Sequence, residues 1–192
     1  MMSKGMMMSD LKKWKILRSN VVFDNQWFKI RQDAIELPNG NIIDDFFVLV
    51  RPDIALIFPV TVDGNIVFVR QYRHATGEIL LELPAGSFNP NTEDPETAAR
   101  RELIEETGYV PTEMIKLGTI YDNPIKDTNQ IHIFLAKDVK IGGKQQLDLT
   151  EEIELELIPV SQVMNKIASG EIRVSGSIAA IVLGLKFLRI EV

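Results

Sequence analysis

The segment from residue 94 to residue 108 constrains the fold most, because it carries both start and stop signals for a helix. It reads DPETAARRELIEETG. Asp94 can cap the first turn, Pro95 suits the first helical position, and Gly108 is a residue type favoured just past a helix end. The segment therefore predicts a single helix between Asp94 and Gly108.

This helix carries a high concentration of carboxylates. Glu102, Glu105 and Glu106 share one face, since residues three and four apart on a helix are neighbours. Like charges at that spacing destabilise an isolated helix, and the macrodipole disfavours anions in the last turn. A divalent cation would offset both effects, because Mg²⁺ prefers hard oxygen ligands. The alternative is an ordinary acidic helix face in contact with solvent.

Three strand-like segments lie near the start of the sequence. Residues 14–23, 26–37 and 41–50 are rich in β-branched and aromatic residues, and PNGN at 38–41 is a reverse-turn signal. We expect a small antiparallel sheet of three strands. Such a sheet buries little surface by itself, so we expect it to dock on another surface, for which a second subunit is one candidate.

The sequence divides after Arg51, where an Arg-Pro-Asp step follows the third strand. We expect a mobile N-terminal tail over residues 1–10 and an antiparallel β subdomain over residues 11–51 that contributes to dimerisation. The main domain is expected over residues 52–192.

The main domain interleaves strands and helices without the regular alternation of a doubly wound sheet. Strands are predicted at residues 54–62, 66–73, 78–86, 116–122, 130–139 and 153–160. The first two have continuous apolar runs joined by a DGN turn, which predicts a hairpin buried on both faces. Further helices are predicted at about 161–170 and 177–189. The pattern favours an α/β (α+β) sandwich, in which helices flank a mixed sheet.

Composition argues against several classes of protein. The net charge is −6, with no run of Lys or Arg long enough to follow a phosphate backbone, which argues against a nucleic-acid partner. The absence of cysteine excludes disulfides and thiolate metal sites. No apolar run approaches the roughly 20 residues of a membrane helix. We therefore expect a cytoplasmic protein without a membrane partner.

The sequence from Gly86 to Tyr109 resembles the Nudix box, G-x5-E-x7-R-E-U-x-E-E-x-G-U, where U is apolar. The named positions are filled by Gly86, Glu93, Arg101, Glu102, Leu103, Glu105, Glu106, Gly108 and Tyr109. Six residues, rather than five, separate the first glycine from the first glutamate. The extra residue lies in an Asn- and Pro-rich loop before the helix, so it leaves the helical register unchanged.

The resemblance implies the Nudix fold and hydrolysis of a nucleoside diphosphate linked to another group, with Mg²⁺ or Mn²⁺ as the cofactor. It implies that Glu102 and Glu106 are metal ligands and that the carbonyl of Ala85 completes the ligand set. It also implies that Glu105 assists catalysis. Arg101 would hold the helix and the preceding loop in place.

Segments outside the box resemble the ADP-ribose pyrophosphatase branch of this family. They are VRQYR at residues 69–73, LELPAG at residues 81–86, and Pro124 downstream of the box. The branch implies a homodimer formed through the N-terminal sheet, and cleavage of ADP-ribose or a related ADP-sugar to AMP and a sugar phosphate. GDP-mannose or another nucleotide sugar is the alternative substrate. A non-catalytic domain that senses ADP-ribose is the alternative class.

Several residues are candidates for contact with substrate. Arg73 would clamp a phosphate with its planar guanidinium, and the alternative is a pair with an acidic neighbour. Trp27 matches the position of an aromatic that stacks on adenine from the partner subunit, although it can also pack the small sheet. Phe46 and Arg51 are weaker candidates for the same cleft. Glu82 would hold a metal-bound water and counts with the metal residues.

The general base is the least defined part of the prediction. Many members of the branch place a glutamate five residues beyond the downstream proline, but this sequence has Asn129 there, whose amide accepts no proton at neutral pH. Glu105 and Glu152 are the favoured candidates. Asp127 and Glu151 are alternatives, and metal-bound water is acidic enough to lose a proton without a strong base.

Overall fold

The computed structural model describes residues 11–190, which divide into two compact units. The small unit comprises residues 11–51 and 125–128, and the large unit comprises 52–124 and 129–190. The domain boundaries expected from the sequence stay a proposal, and no sequence pattern predicts that residues 125–128 associate with the small unit. The expected tail over residues 1–10 lies outside the described residues.

The small unit is a three-stranded antiparallel sheet in the order β1-β2-β3, which confirms the expected N-terminal sheet. The strands are β1 (Lys15–Asp24), β2 (Lys29–Glu36) and β3 (Ile42–Leu49). Residues 125–128 add to it through two backbone bonds: the Leu49 N–H donates to the Lys126 carbonyl at 2.8 Å, and the Thr128 N–H donates to the Leu49 carbonyl at 3.1 Å.

The large unit contains eight strands and three α-helices within the described residues. The strands are β4 (Asp53–Thr61), β5 (Asn65–Arg73), β6 (Glu78–Glu82), β7 (Ala85–Phe88), β8 (Tyr109–Val110), β9 (Glu113–Tyr121), β10 (Gln130–Ile141) and β11 (Ile153–Pro159). The helices are α1 (Pro95–Thr107), α2 (Val163–Ala168), which follows a 3₁₀ turn at Val160–Gln162, and α3 (Ser175–Phe187). The second predicted helix is therefore shorter than expected, and the third begins two residues earlier.

The strand order is β11-β5-β4-β10-β8, with β6 paired to β5, β7 to β4 and β9 to β10. Among the described strands of this sheet, only β4 and β10 pair in parallel, so the sheet is mixed. The predicted β4–β5 hairpin forms, but its ladder is limited to the pair Val60 and Ile66. Beyond that pair the two strands separate, because β4 takes β7 as its partner and β5 takes β6. The strands β6 and β7 thereby enter the middle of the sheet.

Apolar side chains cover both faces of this sheet. One cluster includes Phe58 of β4, Leu135 of β10 and Ile181 of α3, and the other includes Leu103 of α1 and Phe134 of β10. The sheet is therefore sandwiched between α3 and α1, which confirms the predicted α+β sandwich. Within residues 11–190, no helix is both long and apolar enough to cross a membrane.

Candidate functional site

Helix α1 has the termini that the sequence predicts. The Asp94 carboxylate accepts hydrogen bonds from the Glu96 and Thr97 N–H groups, both at 3.1 Å. Gly108 adopts the left-handed conformation with φ of 70°, and its N–H donates to the Ile104 carbonyl at 2.8 Å. These local contacts define the register of the helix and hence which carboxylates face the sheet.

Two of those carboxylates are enclosed against strand β7. Glu102 is 8% exposed and Glu106 is 3% exposed. The Ala85 N–H donates to Glu106 Oε2 at 3.1 Å. A Cβ built on Gly86 would overlap the carboxylate of Glu102, so the close approach of that carboxylate to the strand requires glycine. Glu102 and Glu106 of the acidic face are therefore packed against backbone rather than exposed to solvent, whereas Glu105 is half-buried.

Arg101 ties the surrounding carboxylates together. Its guanidinium makes a bidentate pair with Glu93, with both N–O distances 3.0 Å. The same guanidinium donates to Glu102 at 2.7 Å and to Glu105 at 2.9 Å. The hydrogen bonds to Glu93 are the main cause that raises the pKa of Arg101 above its ordinary value. The bonds to Glu102 and Glu105 raise it further. Arg101 thus joins the loop before the helix to the acidic face, and its expected role in the site stays a prediction.

Burial changes the ionisation of both enclosed glutamates. Burial is the main cause that raises the pKa of Glu102, and the bond from Arg101 acts in the opposite direction. Burial likewise raises the pKa of Glu106 to about 8, against the smaller lowering effect of the Ala85 N–H. The nearby charge of Glu151 raises both pKa values. Without a cation, burial therefore disfavours the charged forms of both carboxylates.

The neighbouring loop brings Glu151, rather than Glu152, close to this pair. Glu151 is near enough to affect the pKa values of Glu102 and Glu106 by its charge. Glu152, one of the two candidates favoured from the sequence, lines a groove over β5, β6 and β11 with Arg70, Gln71, Tyr72, Ile79 and Glu154. Adjacent residues of an extended chain point in opposite directions, so the sequence alone could not choose between them.

Arg73 and Glu82 form a bidentate ion pair, with N–O distances of 2.8 and 3.0 Å. The bond to Glu82 is the main cause that raises the pKa of Arg73, and the charges of Glu106 and Glu151 add to it. The structure therefore shows the acidic partner that the alternative interpretation of Arg73 expected. Its role as a phosphate clamp, and that of Glu82 toward a metal-bound water, stay predictions.

Among residues 11–190, no three carboxylate or imidazole side chains converge on a ready-made metal site. Mg²⁺ does not require one, because it is often held by one or two carboxylates together with water and substrate phosphates. Glu102 and Glu106 supply hard oxygen donors whose burial disfavours their charge unless a cation is near. The pair therefore fits a divalent ion. The expected ligand role of the Ala85 carbonyl stays a prediction.

The predicted substrate residues Trp27, Phe46 and Arg51 belong to the small unit. Trp27 is 73% exposed, beside a turn in which the Asn25 side chain accepts bonds from the backbone. Phe46 contacts the ring of Trp14 and the ammonium of Lys126. Arg51 pairs with Asp127 at 3.4 Å. Their contact with substrate stays a prediction from the resemblance.

Asn129, which stands where the resemblance expects a glutamate, is buried at the start of β10. It is 1% exposed, and among the described residues neither its amide nitrogen nor its amide oxygen has a hydrogen-bond partner. A buried unpaired amide costs free energy, although far less than a buried unpaired carboxylate would. The position therefore supplies no proton acceptor.

Comparison with known families agrees with this geometry. A family model described as the NUDIX domain matches residues 50–175, which is well over half of the chain. The chain belongs to the Nudix family. A second model, described as the nucleoside diphosphate sugar hydrolase N-terminal domain, matches residues 14–49 of this Nudix protein.

Three relatives carry different names. The ADP-ribose pyrophosphatase of Bacillus subtilis is 28% identical over 159 residues, which cover 82% of this chain and 85% of the relative. The methanol dehydrogenase activator of Bacillus methanolicus is 30% identical over 175 residues, covering 91% and 94%. The GDP-mannose pyrophosphatase of Salmonella typhimurium is 37% identical over 120 residues, covering 57% and 60%.

A solved structure described as an ADP compounds hydrolase has the same fold as this Nudix protein. The TM-score is 0.83, and the match covers 95% of this chain and 97% of the other. The sequence identity is 23%, so this likeness concerns the fold alone.

Because these carboxylates are enclosed, we expect the free energy of unfolding to fall as pH rises when divalent ions are absent. Folding raises the pKa of Glu106 from 4.5 to about 8, so the folded state retains a proton that the unfolded state has released. Stability is then full below the unfolded pKa and is lost as pH rises through the folded pKa. Unfolding in denaturant with a chelator should show a decrease of roughly 3 kcal/mol between about pH 5 and pH 8.

Glu106→Gln should remove most of this decrease, while Glu96→Gln, at an exposed position of the same helix, should keep the wild-type dependence. Added Mn²⁺ should restore stability at high pH in the wild type and not in Glu106→Gln. The same pH dependence in the wild type and in Glu106→Gln would contradict the assignment.

Gly86→Ala is expected to disturb metal binding more than folding. The added methyl would overlap the end of the flexible Glu102 side chain, which can move away, whereas the backbone conformation at Gly86 suits alanine. Mn²⁺ affinity should fall about 10- to 100-fold, with little change in the unfolding midpoint. Ser87→Ala, at the exposed next position, is the matched control. Unchanged Mn²⁺ affinity in Gly86→Ala would count against the enclosed Glu102.

Proposed function

We propose that the protein hydrolyses the pyrophosphate linkage of ADP-ribose or a related ADP-sugar, giving AMP and a sugar phosphate. The observation that carries the proposal is the enclosed pair Glu102 and Glu106, packed against β7 where a Cβ on Gly86 would not fit. Two buried carboxylates side by side are a costly arrangement that a cation and an anionic pyrophosphate together offset. Nudix hydrolases generally use divalent ions, and we propose Mg²⁺ here, with Mn²⁺ as a substitute.

The chain's own residues have separate tasks in this proposal. Glu102 and Glu106 would hold the ion, which when bound would neutralise phosphate charge and lower the pKa of water. Arg101 orients Glu102 through its bond at 2.7 Å. Arg73 can exchange one of its bonds to Glu82 for a phosphate oxygen, since a planar guanidinium suits that anion.

In the hydrolytic step a water oxygen forms a bond to one phosphorus and the bridging oxygen leaves with the other phosphoryl group. The water must lose a proton, and we propose the Glu151 carboxylate as its acceptor. Support comes from the placement of Glu151, whose charge acts on both Glu102 and Glu106. Glu105, the other candidate from the sequence, is held by Arg101 at 2.9 Å and so is less free to accept a proton.

Two alternatives remain as proposals. The Salmonella typhimurium relative is a GDP-mannose pyrophosphatase, which supports a different base and sugar with the same linkage. A domain that senses ADP-ribose without cleaving it is supported by Asn129, which stands in the expected place of a glutamate. The name of the Bacillus methanolicus relative describes an activator, so release of AMP must be measured directly. A cytoplasmic location stays a prediction from the sequence.

A substrate panel with Mg²⁺ tests the function: ADP-ribose, ADP-glucose, GDP-mannose, NADH and a diadenosine polyphosphate. We expect AMP release to be fastest from an ADP-sugar. Glu151→Gln should lower kcat about 10²- to 10⁴-fold, as loss of a general base does, and Glu152→Gln should stay near the wild type. Fastest turnover of GDP-mannose would favour the alternative substrate, and binding of ADP-ribose without AMP release would favour the sensor.

We also propose a homodimer that covers the small sheet. Every residue of β1 is exposed in the single chain, including the apolar Val21, Val22 and Phe23. Consecutive side chains of a strand point to opposite faces, so both faces of this edge strand expose apolar groups. A second copy of the chain supplies a matching surface, because a twofold interface places the same patch on both sides.

Sedimentation analysis of the full chain should give a dimer at micromolar concentration. Val21→Lys places a charge on the proposed interface and should give a monomer, whereas Arg18→Lys on the same strand should leave the dimer intact. A monomeric wild type, or a dimer that Val21→Lys leaves unchanged, would contradict this interface.

A further inference from the structure

The loop between β10 and β11 is bonded to the end of the acidic helix. The N–H groups of Gly142 and Gly143 donate to the Gly108 carbonyl at 3.0 and 3.1 Å, and the Gln146 N–H donates to the Glu105 carbonyl at 2.8 Å. The last carbonyls of a helix have no partner within the helix. The loop supplies those partners, so hydrogen bonds hold its first residues against the end of α1.

The side chain of Gln145 extends this connection to the far end of the loop. Its amide nitrogen donates to the Glu106 carbonyl at 2.7 Å and to the carbonyl of Ile153 at 3.3 Å. An amide NH₂ has two hydrogens, and both are used here. Ile153 is the buried first residue of β11. One side chain therefore joins the beginning of the loop, its end and the helix.

Glu151 lies inside the segment that this side chain closes, two residues before Ile153. A second turn supports it locally: the Asp148 N–H donates to Glu151 Oε2 at 3.0 Å, and the Glu151 N–H donates to the Asp148 carbonyl at 2.9 Å. The turn orders Glu151 relative to Asp148. The Gln146 N–H and the Gln145 side chain both bond the helix, and of these two groups the Gln145 side chain also bonds the start of β11.

We propose that Gln145 is a positioning residue that holds the Glu151-bearing loop against the end of α1, so that the Glu151 carboxylate stays beside Glu102 and Glu106. The inference rests on the proposed function for the task of Glu151, and on geometry alone for the tether. Glutamine suits the place because both partners are carbonyl oxygens. Glutamate has no donor for them at neutral pH, and asparagine is about one bond shorter.

A double-mutant cycle tests whether Gln145 acts through Glu151. The variants are Gln145→Leu, Glu151→Gln and the two combined, assayed on the best substrate of the panel. Gln145→Leu should lower kcat about tenfold with KM changed less than about twofold, because misplacement of a reacting group slows the chemical step. In the Glu151→Gln background the same change should cost less than about twofold. Equal losses in both backgrounds, or no loss in either, would overturn the proposal.

Gln146→Ala is the matched control, because it removes an exposed amide side chain from the adjacent position and keeps the backbone N–H. Its kcat should equal the wild-type value. A loss as large as that of Gln145→Leu would show that the loop tolerates no change, and would count against a specific role for Gln145.

Hydrogen exchange measured without substrate tests the tether independently of activity. Gln145→Leu should raise the exchange rate of amides 142–153 at least about tenfold, with the β4 and β10 amides unchanged. If the wild type hydrolyses no member of the panel, the proposed function fails and exchange still decides the tether. Wild-type exchange rates in Gln145→Leu would overturn it.

Discussion

The enclosure of two carboxylates against a strand is the constraint on which the site depends. Glu102 and Glu106 lose hydration on burial, and each also repels the other. The strand accommodates them by two backbone features. Gly86 offers no Cβ where Glu102 approaches, and Ala85 directs its N–H to Glu106. A different residue at Gly86 would move the carboxylate before it disturbed the fold, so the glycine reflects the site more than the architecture.

Positive charge is distributed unevenly over this arrangement. Arg101 bonds Glu93, Glu102 and Glu105, whereas Glu106 receives a hydrogen bond from the neutral N–H of Ala85. This difference explains why the opposing influence on the pKa of Glu102 comes from a guanidinium and that on Glu106 mainly from a backbone dipole. Glu106, the more buried of the two carboxylates, is thus the one whose negative charge the chain itself offsets less. A bound cation would be most stabilising there.

The sequence predicted the elements whose signals are local. It did not predict which strands pair when the partners are distant in the chain. Asp94 and Gly108 bound α1 as expected because caps act within one turn. The parallel pairing of β4 with β10 and the antiparallel pairing of β4 with β7 join strands that do not follow one another in the chain. Periodicity within a strand cannot specify its partner.

The site shows the same limit. The Nudix box identified Arg101, Glu102 and Glu106 through fixed spacing on one helix. The proposed choice of Glu151 over Glu152 depends instead on how a loop is held, and the bonds of Gln145 join this loop to residues 106 and 153. No spacing rule indicates such a tether. The hydrogen-bond partners of the helix-terminal carbonyls show it instead.

The proposed function connects the buried Asn129 with the tether formed by Gln145. The start of β10 is fully packed, with Asn129 1% exposed, so a carboxylate there would need a partner that the described residues do not give the amide. In the proposed function the proton acceptor comes from another element, and the β10–β11 loop bears the candidate Glu151. A loop residue is less precisely placed than a strand residue, since loops are the more mobile elements of a fold. A proton acceptor on a loop rather than a strand therefore needs an added restraint, and we propose that the two bonds of Gln145 provide it.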